Sequence, residues 1–91
     1  MRTENASEKK IKVERVQTGI RIEKKMLKVL KGLAEYLDIT LGDLIEGIVL
    51  HAFEGKSPFT KEETLQKIED IKKIYDFDFD AAASHNFTEG E

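Results

Sequence analysis

The sequence contains no cysteine in its 91 residues, so neither a disulfide framework nor a thiolate metal site is available, and the redox compartment is left open. No apolar run approaches the roughly 20 residues needed to span a bilayer. The first residues, Met1-Arg2-Thr3-Glu4-Asn5, have no apolar signal core behind them. These absences predict a soluble, cytoplasmic chain without a membrane partner. Chemistry is lacking as well: there is no nucleophile elbow, phosphate-binding glycine loop or paired-carboxylate spacing, and a chain this short has little room for an enclosed pocket. The histidines, His51 and His85, lie far apart with no cysteine beside them, which argues against a metal site. The DFDFD run at residues 76–80 has Phe at alternate positions and no glycine or terminal Glu at calcium-loop spacing, so it reads as an acidic tail. The expectation is a protein that is not an enzyme and carries no cofactor.

What is present is charge, unevenly spread. The formal net charge is -3, but residues 1–32 carry 10 Lys and Arg against 4 Asp and Glu, a balance of +6. Residues 33–91 carry 5 against 14, a balance of -9. A basic first third and an acidic remainder suit a molecule that presents one end to a polyanion and keeps the other away from it.

Hydrophobic periodicity divides the chain into an arm at 1–12, a folding unit at 13–55 and a C-terminal part at 56–91. The arm has no apolar period. In the second unit Val16, Thr18, Ile20 and Ile22 alternate with Gln17, Gly19 and Arg21, the two-residue period of a strand with one buried face. Such a strand has no partner elsewhere in the chain, which points to pairing with its own copy. Residues 24–37 place Met26, Leu27, Leu30, Leu33, Ala34 and Leu37 at helical spacing. The turn that follows has no glycine, so Asp38 is the residue expected to turn left-handed. Thr40 with Asp43 forms a capping signal for a second helix, whose apolar side includes Leu41, Leu44, Ile45, Ile48, Val49, Ala52 and Phe53, and which Gly55 and Pro58 end. Thr60 with Glu63 repeats the capping signal ahead of a third helix with Leu65, Ile68, Ile71 and Tyr75 in one stripe. Gly32 and Gly47 fit close helix packing better than chemistry.

The order of strand, helix, short turn and helix from Val16 to Gly55, carried by VQTGIRI, KGLAEYL and ITLGDLI, resembles the ribbon-helix-helix family of DNA-binding repressors, the Arc and MetJ type. The resemblance implies a mostly α fold with one short strand: an intertwined homodimer joined by an intermolecular antiparallel two-stranded ribbon, here with an extra C-terminal helix. It further implies that the ribbon lies in the major groove of a palindromic operator, with Gln17, Gly19 and Arg21 facing the bases. Arg bonds bidentately to guanine and Gln to adenine, so chemistry supports the outer two. The start of the second helix, Thr40 with the amides of Leu41 and Gly42, is placed by the resemblance against a phosphate. Lys24 and Lys28 are candidate secondary phosphate contacts, within a lysine face that includes Lys25 and Lys31.

The chain departs from the family pattern at Gly19, where a reading side chain is usual, at Glu23, where proline is common, and at Asp43, which adds negative charge near the phosphate site. The function expected is a sequence-specific transcriptional regulator of repressor type, a dimer or higher oligomer on double-stranded DNA. The alternatives are an antitoxin that binds a toxin protein through residues 60–91, and a dimeric interaction module without DNA binding.

Overall fold

The computed structural model describes residues 10–90; residues 1–9 of the expected arm and Glu91 lie outside the described residues. Helix α1 spans Lys24–Leu37, α2 Leu41–Phe53 and α3 Glu62–Ile74, and a 3-10 turn follows at Ala81–Ala83. The first two helices occupy the segments that their apolar spacing predicts. Each also has the local stops that the chain supplies. Glu23 opens α1 by accepting from the Met26 amide at 2.7 Å, satisfying one of the donors that a helix start leaves free. Asp38 closes it in the left-handed conformation expected, with φ 61°. Thr40 then caps α2 by accepting from the Asp43 amide at 3.0 Å, and Gly55, at φ 70°, lets the chain leave the far end.

The start of α3 differs from the sequence expectation. Its N-cap is Lys61, which makes no side-chain cap hydrogen bond, so Thr60 does not cap it. Glu62 and Glu63 instead place negative charge in the first turn, and Lys72 and Lys73 place positive charge in the last, which favours the helix through its dipole.

One helix organises the core. Leu33 and Ala34 of α1 meet Leu44 of α2 and Ile71 of α3 in a small buried cluster, flanked by half-buried Leu30, Leu37, Ile48, Ile68 and Tyr75. α1 therefore lies between the other two, and α3 packs Ile68, Ile71 and Tyr75 of its stripe on this core while Leu65 stays 43% exposed. Gly32 permits the close approach: a β-carbon there would sit 3.2 Å from Ile71 Cγ2. Gly47 does not have the packing role expected of it, since a β-carbon there meets nothing within 4 Å.

The expected ribbon-helix-helix architecture is corrected by this structure. No strand is present among the described residues, and residues 10–23 join neither helix nor sheet. Val16 and Ile20, expected on the buried face of a ribbon, are 77% and 72% exposed. The physical reason lies in what a strand requires. Alternation alone does not hold backbone in a ladder; a second edge must accept its hydrogen bonds. Every other regular element described here is helical and offers none. The architecture is three helices with an N-terminal segment outside them.

Beyond α3 the acidic tail is more ordered than its composition suggests. Asp80 caps the 3-10 turn by accepting from the Ala82 amide, and Phe79 stacks edge-on against both Phe77 and Phe87. The tail and the helices enclose an open groove of about 580 Å³ lined by Met26, Leu30, Ile68, Phe79 and Phe87 among others. No described helix is long and apolar enough to cross a membrane.

Candidate nucleic-acid interface

Gln17 and Gly19 sit in the exposed N-terminal segment, and a β-carbon at Gly19 would meet nothing within 4 Å. Arg21, the third expected base-reading residue, is exposed but engaged. Its guanidinium forms a two-point contact with the Glu89 carboxylate, Nε to Oε1 at 3.2 Å and the second nitrogen closer to Oε2. A planar fork of donors suits a carboxylate, a phosphate or the guanine edge equally well. The tail therefore occupies a group that is also suited to a nucleic acid.

Lys24 and Lys28 lie one turn apart on the exposed side of α1, and neither makes an ion pair among the described residues. Lys25 behaves differently: its ammonium lies 3.6 Å from an Asp76 carboxylate oxygen and 3.3 Å from the Asp76 carbonyl. At α2, the amides of Leu41 and Gly42 belong to the first turn and have no intrahelical acceptor. The charge at that end is less favourable to an anion than the amides alone. Asp43 stands in the same turn, its own amide bound to Thr40.

Arg15 is the residue that the sequence reading missed. Its Nε and Nη2 donate to the two oxygens of Glu46 at 2.9 and 2.7 Å, and Nη2 also lies 3.7 Å from Asp43. The hydrogen bond and the charge of Glu46 raise the Arg15 pKa further above its ordinary value, and the Arg15 hydrogen bond holds Glu46 below the usual carboxylate range. This clasp ties the N-terminal segment to the first turns of α2, so the two groups of predicted site residues, Gln17–Gly19–Arg21 and Thr40–Leu41–Gly42, belong to connected surfaces. A signal existed in the sequence. Arg15 shares the parity of Gln17, Gly19 and Arg21, and Asp43 and Glu46 are three apart on a helix, hence neighbours on its surface.

Gln17 and Gly19 thus lie between two arginine anchors, Arg15 on α2 and Arg21 on the tail. Comparison with models of protein families, with curated proteins and with solved structures finds no match to this chain.

Proposed function

We propose that this chain is a non-enzymatic, sequence-specific DNA-binding regulator that acts as a homodimer in the cytoplasm and contacts a palindromic operator. The observation that carries the reading is the N-terminal segment. It is exposed, packs into no core, and bears Gln17 and Arg21 close in sequence to the exposed Lys24 and Lys28 of α1, which make no ion pair among the described residues, at the end of the chain where positive charge is concentrated. Lysines there would contact phosphates without regard to sequence, while Gln17 and Arg21 carry the chemistry for base edges. No paired ribbon is required by this reading, since a basic segment outside the helices enters a groove by itself in other DNA-binding domains.

The homodimer is favoured by the small core together with a second apolar surface. Val49, Leu50 and Phe53 of α2 remain exposed, Phe53 at 81%, and a chain of this length with so few buried side chains gains stability from covering such a face. Selection of bound sequences from random duplex DNA tests the function. Recovery of a palindrome is the expected result.

A second reading is a dimeric interaction module that does not bind DNA. It is favoured by the carboxylates that already hold Arg15 and Arg21. Failure of the selection to enrich any sequence, with dimerisation intact, would put that reading first. The antitoxin alternative is less favoured, because Ile71 of α3 is committed to this chain's own core and the tail is docked on the helices.

A further inference from the structure

We propose that the C-terminal segment, residues 76–90, is an intramolecular competitor of DNA: it occupies Arg21 and Lys25 and must be displaced before they reach a nucleic acid. This inference rests on the DNA-binding reading above. The segment has the right charge, with Asp76, Asp78, Asp80 and Glu89 and no Lys or Arg. Its contacts fall on the basic end of the molecule. Glu89 takes Arg21 in a two-point contact across 68 residues of sequence, and Asp76 takes Lys25.

The placement is built rather than incidental. Asp76 reverses the chain after α3 with φ 56°, and the Phe77 amide donates to the Lys72 carbonyl at 2.8 Å. Ring centroids of Phe77 and Phe79 are 5.4 Å apart, and those of Phe79 and Phe87 4.9 Å, both edge-on, a favoured geometry for aromatic pairs. The side-chain amide of Asn86 donates to the Ala82 carbonyl at 3.2 Å. These contacts carry the chain back from α3 to the N-terminal segment and deliver Glu89 two residues after Phe87.

The strength of such a device follows from exposure. Both partners of the Arg21–Glu89 pair are largely in solvent, with side chains 82% and 67% exposed, and exposed pairs are weak and screened by salt. A weak clasp is what a displaceable competitor needs. DNA would overcome it, but at the loss of a measurable factor in affinity.

The test uses the full chain and a fluorescent random-sequence duplex at low salt, with wild type, Glu89→Gln, Arg21→Ala and the double variant, each checked for helix content by circular dichroism. Glu89→Gln is expected to tighten binding about two- to five-fold, the range for releasing one exposed ion pair. In the Arg21→Ala background the same change should add nothing, because the competed group is gone. Equal affinity of wild type and Glu89→Gln would overturn competition and leave DNA binding standing. An equal gain in both backgrounds would also overturn it, since simple repulsion between the tail and phosphate would then explain the effect. Absence of binding by every variant at low salt would instead remove the DNA-binding reading, and this inference with it.

Discussion

Arg15 and Arg21 belong to one short segment but meet different carboxylates, and their consequences separate accordingly. Arg21 is expected to read a base, so Arg21→Ala should cost about 1 to 3 kcal/mol of discrimination per base pair read. Lys28→Ala should weaken binding to all sequences alike and flatten the salt dependence. Titration of both variants against a selected and a scrambled duplex distinguishes them; equal losses on both duplexes for Arg21→Ala would mean that it does not read sequence. Arg15 has a pH signature instead. Glu46 is held below the ordinary carboxylate range by the Arg15 hydrogen bond, so the clasp is present above that range and is lost as pH falls through the lowered value. An NMR titration should therefore find the Glu46 midpoint below that of ordinary glutamates, and Arg15→Ala should return it. At Asp38 the residue chemistry was legible, since few side chains tolerate φ 61°. Asp38→Ala should destabilise by about 1 kcal/mol and Asp38→Gly should not, as read by thermal unfolding. Glu23 was legible only as a departure from a family pattern; that it caps α1 depends on a rotamer that sequence does not display.

Among the elements, the helices were readable because their signal is local: apolar spacing along α1 and α2, with stops at Asp38 and Gly55, needs nothing from the rest of the chain. The strand expected at Val16 to Ile22 was not secured by its alternation, because a strand is a relation between two segments. The Thr60 signal failed for a related reason, as a capping residue is chosen by where the chain turns, and here the turn places Lys61 at that point. The stripe of α3 was legible but its target was not; Gly32 opposite Ile71 shows the complementarity that decided it. Ile71→Ala should consequently cost about 2 kcal/mol or more, at the low end of losses for buried Ile if the small core collapses into the space. Chemical denaturation measures it. A change below about 0.5 kcal/mol, the size of an ordinary surface effect, would mean that α3 does not close the core.

For the whole molecule, the uneven charge was legible from composition alone, and the fold brings its two ends into contact. The acidic tail does not merely stand away from the basic end; it returns to it through Asp76 and Glu89. Composition could not reveal that return, which depends on the Phe77, Phe79 and Phe87 contacts. The proposed homodimer is tested by thermal unfolding across a wide concentration range. The midpoint should rise with protein concentration, and a constant midpoint for a species of monomer mass would contradict it.

DNA binding by the basic end is tested most directly by titrating the wild-type chain against duplex DNA at a series of salt concentrations. The expected result is saturable binding whose logarithmic affinity falls linearly with the logarithm of salt concentration, as phosphate contacts release counterions. No binding at about 50 mM salt, where phosphate contacts are strong, would contradict it.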